Sequence, residues 1–449
     1  MKDIVLYAPS FYDSPFRRNI VDGEVLYLAV HLRRLGYHVT VVDRFHKAAG
    51  VAGDIGGVAR ANALMVVHLW TADAYGEPLA LVARDLATLR QAHPSLRVIA
   101  FGPLATSAEQ DLLDSGAVDG IARRWTTSWR EGSSAAPGLA ALADALQAYY
   151  STFPSLTELQ SRDLGLLRDS VVSVAGSRAC KGRCTFCSYN ADVGGEWLPR
   201  SMKESADDIA FLFRTAGVTR FAFSDNDFGG TVSDCEARAE LLATSLAQHG
   251  LEDEISISVS VRPSTLSEKA LTHLARAGVR TALVGVESFS AKSLRLYGKP
   301  MDTAQLREIC DAAERVGITI VASYILWHPF QTLDSLAYEL AELRRFGRHR
   351  VPQFLARSVL QVIPGTPMER RLGNENLLVA GRFRRDFVYV DGETERAHAR
   401  LKQWFDVNVR TVLKCTEHAG SGAQALLAEK KIAEFSFLVD LVSRSTATG

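Results

Sequence analysis

Three of the chain's six cysteines stand within eight residues of one another, in the stretch Ser177 to Asn190 that reads SRACKGRCTFCSYN. Cys180, Cys184 and Cys187 make a C-x3-C-x2-C run, a compact set of soft ligands. Soft thiolates select zinc, copper(I) or iron–sulfur clusters over hard cations. A structural zinc site wants four ligands, usually in paired C-x2-C units or with histidines at finger-like distances. The next cysteine is Cys235 and the next downstream histidine is His249, both too far along the chain to belong to the same short loop. Three thiolates can instead hold three irons of a [4Fe–4S] cube and leave the fourth open to a ligand from outside the protein.

The surroundings of this loop bound what it can serve. The 449 residues are 47% apolar and 23% charged, enough for two or three domains with a substantial core. Lys+Arg and Asp+Glu both number 51, so no bulk field draws the chain to nucleic acid or an anionic membrane, and a small polar molecule is the better default partner. The opening MKDIVLYAPSFYDSP lacks the long apolar segment of a signal peptide. No apolar run approaches the roughly 18 residues of a membrane span. A cytoplasmic protein is expected, and Cys235, Cys310 and Cys415 read as core thiols of a reducing compartment.

Along the chain, apolar runs alternate with helical patterns: IVLYA, VLYLAVHLRRLG, HVTVVD, LMVVHLW, LALVARDLATLRQAH and RVIAFG. That alternation predicts an α/β protein with a Rossmann-like parallel sheet over residues 1–145. The first strand is not followed by G-x-G-x-x-G, which argues against a dinucleotide. The Gly/Ser/Pro-containing stretch Arg123 to Gly138 leads toward a boundary near 140–165. From Asp169 a second series begins, with strands at VVSVAGS, TRFAFSD, ISISVSVR, TALVGVE, ITIVASYILW and PQFLARSVLQV. Helices ending in glycine separate several of them. Six strand–helix units predict a partial (β/α)6 barrel over 165–375, with active residues at the carboxyl ends of its strands. Residues 376–449 read as a helical cap or an oligomer surface, so a homodimer is admitted.

The cysteine loop, with Phe186 in the aromatic slot before its third cysteine, resembles that of the radical S-adenosylmethionine (SAM) superfamily. There such a loop holds a [4Fe–4S] cluster and SAM chelates the open iron. The N-terminal phrase VLYLAVHLRRLGYHVTVVD, with FGPLAT further on, is similar to the cobalamin-binding domain of one large subgroup. Departures from that subgroup are the Phe101 that opens the turn and the large side chains Phe11, Tyr12, Phe16, Arg17 and Trp70 at strand ends, which could fill the corrin crevice. Cobalamin is therefore admitted but not favoured.

Carried over position by position, the resemblance implies that Ser224 or Asp225, in SDNDF, meets the SAM ammonium. Arg262 would meet its carboxylate, since a guanidinium fork matches a carboxylate. Glu287, in GVES, would contact the ribose or ammonium, and Ile363 and Pro364, in VIPGTP, would border the adenine. Gly194-Gly195-Glu196 follows the first barrel strand, not the second, and reads as a loop turn. Asp227, Tyr189, Tyr324 and His328 are left for substrate and proton transfer, with Tyr389 as a further candidate.

The resemblance implies one-electron reduction of the cluster and a 5′-deoxyadenosyl radical that takes hydrogen from a substrate, so a one-electron donor is an expected partner. The resemblance is as much to radical SAM dehydratases that convert the vicinal diol of an amino sugar, an aminoglycoside such as paromamine, to a deoxy ketone in antibiotic biosynthesis as it is to any methylase. A separate reductase would then act on the ketone. A short C-terminal region, acidic groups near the barrel mouth and crowded cobalamin loops favour this reading. The alternative is a cobalamin-dependent methyltransferase, favoured by the N-terminal domain. A non-catalytic iron–sulfur electron carrier would need neither a barrel nor an open iron.

Overall fold

The structure, a computed structural model, describes residues 3–9, 20–43, 64–69, 76–134, 138–165, 167, 170–189, 196–410, 412–413 and 421–446. Short apolar runs form the first strands: β1 (Asp3–Ala8), then β2 (Ile20–Val21), α1 (Gly23–Arg34), β3 (His38–Asp43), β4 (Leu64–His68), β5 (Arg97–Phe101), β6 (Gly120–Ala122) and β7 (Thr127–Trp129). Leaving out β2, they make one sheet in the order β3-β1-β4-β5-β6-β7, parallel as far as β6, with β7 turning back antiparallel. This is a doubly wound order whose ligand crevice opens at the carboxyl ends of β1 and β4. The expected crowding of that crevice by Phe11, Tyr12, Phe16, Arg17 and Trp70 lies outside the described residues. α2 (Leu139–Tyr149) then covers β5 and β6.

The second sheet comprises β8 (Val171–Val174), β11 (Arg220–Phe223), β12 (Ser256–Val261), β13 (Val279–Glu287) and β14 (Thr319–Tyr324), with the small ribbon β9 (Ser177–Arg178) and β10 (Leu198–Pro199) beside it. Its order is β14-β13-β12-β11-β8-β2, all parallel. The sixth strand is thus β2, from the N-terminal region, and not Pro352–Val362. That stretch forms a 3-10 turn at Leu355–Arg357 and a single bridge between Trp327 and Val359. The buried Glu434 carboxylate takes the Leu355 and Ala356 amides at 2.7 and 2.8 Å, so they are not free for a strand ladder.

Strand parity decides which side chains reach the barrel hollow. In β12 and β14, Ile257, Val259, Val261, Ile320, Ala322 and Tyr324 are buried toward the helices, while Ser258, Ser260, Val321 and Ser323 are half-open. Four of the outer helices, including α3 (Leu333–Phe346), start on side-chain caps. Thr231 and Thr332 do so through capping boxes, Ser267 and Asp302 through single side-chain acceptors.

α1 joins the two sheets. Its residues from Gly23 to Leu32 are all buried, and it packs on β1, β3 and β8. A Cβ at Gly23 would lie 1.8 Å from the Ser173 carbonyl oxygen, so only glycine allows this approach. Past 376 the expected helical region opens with a hairpin, β15 (Leu378–Gly381) and β16 (Arg384–Phe387). Its turn residue Phe383 packs into the core of the first sheet. α4 (Gly392–Asn408) and α5 (Ser421–Thr446) follow, packed on each other and, through α5, on α3. Among the described residues no helix is long and apolar enough to cross a membrane.

Candidate metal and cofactor site

Cys180, Cys184 and Cys187 lie on the loop after β9, at the carboxyl edge of the second sheet, and all three are half-buried thiols. A Cβ built at Gly182 would lie 3.2 Å from Cys180 Sγ and 3.9 Å from Cys184 Sγ, so these sulfurs share one small space. The Cys187 amide donates to the Cys184 carbonyl (3.2 Å) and turns the third cysteine back toward them. Among the described residues no three His, Cys, Asp or Glu side chains crowd a single point as one zinc ion would require. A cluster asks for less, one sulfur per iron, and the donor set fits that. Burial, with Asp227 next, pushes the Cys180 thiol up to about 11, and burial raises Cys184 as well. Metal binding would have to supply the energy of deprotonation.

The loop is anchored to the barrel from behind. The Thr185 amide donates to Tyr297 O and its hydroxyl to Leu296 O, both at 2.8 Å, and the Met368 amide donates to Thr185 O at 2.9 Å. Gly298 permits this contact. Its φ is 62°, and a Cβ there would lie 3.0 Å from Arg183 O. Phe186 packs edge-on against Tyr297, ring centroids 5.5 Å apart. The Ile363-Pro364 turn, held by Thr366 Oγ1 donating to Ile363 O (2.7 Å), leads directly to Met368 and so borders the same loop.

Two ion pairs flank the cysteines. Arg262 Nε donates to Asp227 Oδ2 (2.7 Å), and its Nη2 donates to Gly230 O. Asp227 Oδ2 in turn lies 3.8 Å from Cys180 Sγ. Lys299 Nζ donates to Glu287 Oε1 (2.8 Å), which also accepts from Ser323 Oγ (3.0 Å). A register shift between Gly285 and Glu287, together with φ 64° at Glu287, aims this carboxylate into the hollow. Gly285 leaves the space, since a Cβ there would meet Lys299 Nζ at 2.2 Å. Burial alone would lower the Lys299 ammonium, but Glu287 and Cys184 beside it hold it above its usual value.

Sequence reasoning missed Lys299. Its signal is modest: a lysine between Gly298 and Pro300 cannot continue the preceding helix. It also missed Asn226, which lines a crevice with Pro103, Arg124, Tyr150, Ala179 and Tyr189 between the first sheet and the cysteine loop. Tyr189 is thereby brought to the domain junction, and Ser224, half-buried, ends β11 nearby with its Oγ 3.4 Å from Glu24 Oε1.

Several expectations need correction. Asp225 is buried, and its Oδ1 accepts the Gly176 and Ser177 amides (2.7 and 2.8 Å), so it fastens the start of the cysteine loop and offers no open carboxylate. Burial pushes it up to about 6. Asp227 is 0% exposed, and its carboxylate is engaged by Arg262 and the Gly229 amide instead of standing open at the barrel mouth. Arg262, expected to meet a carboxylate ligand, is correspondingly already engaged with Asp227 and the Gly230 carbonyl. Tyr324 points outward and donates to Glu339 on α3, whose carboxylate also accepts the Phe289 and Ser290 amides. His328 lies behind the loop with Nε2 3.1 Å from Ser293 Oγ and its ring against Tyr297, and burial lowers it to about 4. Neither Tyr324 nor His328 reaches the mouth. Tyr389 hydrogen-bonds His398 Nδ1 (2.7 Å) in the C-terminal layer. Of Gly194-Gly195-Glu196, only Glu196 is described; it is exposed and pairs with Arg124 (3.0 Å).

Residues 174–341 match the Radical SAM superfamily. An uncharacterized methyltransferase of Pyrococcus horikoshii, PH0819, is 26% identical over 230 residues, 51% of this chain and 48% of that protein. The mitochondrial radical S-adenosyl methionine domain-containing protein 1 of Danio rerio is 23% identical over 177 residues, 36% of this chain and 38% of that protein. The matched stretches thus span about half or less of these relatives' own length. Among solved structures, the chain resembles the radical SAM methyltransferase TsrM from Kitasatospora setae, with cobalamin and a [4Fe–4S] cluster bound. The TM-score is 0.64 at 14% identity, covering 84% of this chain and 78% of that one. It also resembles the cobalamin-dependent radical SAM enzyme OxsB with aqua-cobalamin bound, at TM-score 0.69 and 15% identity, covering 98% and 72%. Those likenesses establish the fold. The stretch that matches the Radical SAM superfamily, 174–341, is the one that carries the cysteine loop at the carboxyl edge of the partial barrel.

Proposed function

We propose that the chain is a cobalamin-dependent radical SAM methyltransferase acting on a small polar substrate. The observation that carries this reading is the reach of the likeness. It extends beyond the barrel to take in 84% and 98% of the chain against two structures solved with cobalamin bound, and a methyltransferase is among its relatives. When bound, the cluster and SAM would supply a 5′-deoxyadenosyl radical, and cobalamin a methyl carrier. Cys180, Cys184 and Cys187 would hold the cluster. Arg262 and Lys299, each already oriented by a carboxylate, would balance its charge and receive the SAM carboxylate. Ser224 and Glu287 would face the ammonium and ribose, and Phe186, Ile363 and Pro364 would border the adenine side. At the domain junction Pro103, Leu198 and Tyr150 offer flat apolar flanks, while Arg124, Asn226 and Tyr189 offer polar edges of the kind a polar substrate group requires.

A second reading, cobalamin-free dehydration of an amino-sugar diol, draws support from the same crevice. Its described residues leave a cavity of about 10 Å³, room for about one water. It loses the support expected from Asp225 and Asp227, both committed internally. Anaerobic reconstitution with iron, sulfide and hydroxocobalamin, followed by desalting and a UV–visible spectrum, separates the two. Corrin absorbance beside the iron–sulfur band is expected. Iron–sulfur absorbance alone would overturn the methyltransferase reading and make amino-sugar diols the substrates to assay.

A further inference from the structure

We infer that Glu24, in the N-terminal domain, is a positioning residue for the cluster and acts through Arg178. This rests on the reading that Cys180, Cys184 and Cys187 bind the cluster. Arg178 stands two residues before Cys180, and Ala179 between them is held at φ 62°, in the left-handed region that side chains disfavour. Something must hold the chain in that conformation at the entry to the loop.

The Arg178 side chain does so through groups of the N-terminal half. Its Nη1 donates to the carbonyls of Tyr149 (2.7 Å), Tyr150 (3.1 Å) and Thr152 (2.7 Å), the residues that end and follow α2. Its Nη2 donates to Glu24 Oε2 on α1 (3.1 Å). The guanidinium lies over the rings of Tyr149 and Phe153, at 4.2 and 4.5 Å. Both members of the Glu24–Arg178 pair are buried, at 1% and 4% exposure, so each needs the other's charge. The Tyr149 hydroxyl donates to the same Glu24 oxygen (2.6 Å) and locks its rotamer. The other oxygen accepts from Ser224 Oγ at the end of β11. Glu24 therefore ties the entry of the cysteine loop to a neighbouring strand end and to the N-terminal domain. The barrel holds the opposite side through Thr185, Tyr297 and Met368.

The test compares wild type, Glu24→Gln and Tyr149→Phe with a control, Tyr27→Phe. Tyr27, one turn along α1 from Glu24, donates to Asp208 (2.9 Å), which pairs with Arg200 within the second domain, and its hydroxyl takes the Ala175 amide (3.3 Å) but no part in the Glu24–Arg178 pair. Each protein is reconstituted anaerobically and desalted. Iron content, melting temperature and the electron paramagnetic resonance signal of the reduced cluster with and without SAM are then measured. Glu24→Gln and Tyr149→Phe are expected to lose at least half of the bound iron and to shift the SAM-induced signal. Tyr27→Phe should melt earlier but keep wild-type iron and signal. Wild-type iron and an unshifted signal in folded Glu24→Gln would overturn the proposal, as would equal losses in Tyr27→Phe. Should Glu24→Gln fail to fold, Tyr149→Phe decides by the same two criteria, because it removes only a hydroxyl shared between Glu24 Oε2 and the Glu24 carbonyl and leaves the ion pair intact. Failure of wild type to bind iron would strike the cluster reading itself, an outcome distinct from these.

Discussion

At the scale of single residues, the site depends on charges that are already paired. Cys184→Ala removes one of three sulfurs, and cluster loading and 5′-deoxyadenosine formation should both be abolished. Turnover that persists without the cluster would defeat the radical SAM assignment of the loop. Asp227→Asn tests the corrected role of that carboxylate. Because Asp227 holds Arg262 and lies against Cys180, the variant should weaken SAM binding by about tenfold, the worth of roughly 1.4 kcal/mol, while substrate affinity stays within twofold. A selective loss of substrate affinity would return Asp227 to the substrate site. Lys299→Met takes the cation from the buried Glu287 carboxylate and leaves Ser323 donating to it, and breaking a buried pair in this way costs about 3 kcal/mol. Urea melts and SAM titrations should register a loss of stability and of SAM affinity together. Wild-type values in both would show that the pair does not serve the site.

At the scale of elements, Gly298 is the joint between the barrel and the cysteine loop. Gly298→Ala combines a positive φ with a 3.0 Å clash against Arg183 O, so it should cost about 1–2 kcal/mol and reduce iron retention, read by calorimetry and iron analysis. An unchanged melting temperature would mean that the loop does not depend on this contact. The alternating strands and the cysteine spacing are legible in the sequence because they repeat a local period, and the two sheets follow from them. The same period carries a finer message about the site. Arg262 continues the half-open parity of Ser258 and Ser260, and Ser224 that of Ala222, whereas Tyr324 shares the helix-facing parity of Ile320 and Ala322 and Asp225 that of Phe223. Strand parity alone therefore turns Tyr324 and Asp225 away from the hollow. The identity of the sixth strand has no such local signal, because β2 pairs with β8 across about 150 residues and Glu434 takes the Leu355 and Ala356 amides from almost 80 residues away. Glu24 meeting Arg178 is illegible for the same reason.

At the scale of the whole molecule, polar groups buried around the second sheet should give stability two opposing dependences on pH. Burial lowers His328 to about 4, so the folded state holds it neutral while the unfolded chain binds a proton below about 6.5. Its contribution is complete above pH 6.5 and is lost as pH falls toward 4, on the order of 3 kcal/mol at 1.36 kcal/mol per unit. Asp225 has the reverse sign. Burial raises it to about 6, so the folded state favours its proton, and the stability it lends at low pH is lost as pH rises from about 3.8 through 6. Because the two slopes overlap, the wild-type curve alone does not separate them, but difference curves do. Urea unfolding between pH 7 and 4.5 should show the advantage of wild type over His328→Gln shrinking as the solution is acidified. Asp225→Asn, which imitates the protonated acid, should gain on wild type as pH rises through 6. Two flat difference curves would mean that water or local opening solvates both groups, and that the junction around the cysteine loop is looser than its buried hydrogen bonds imply.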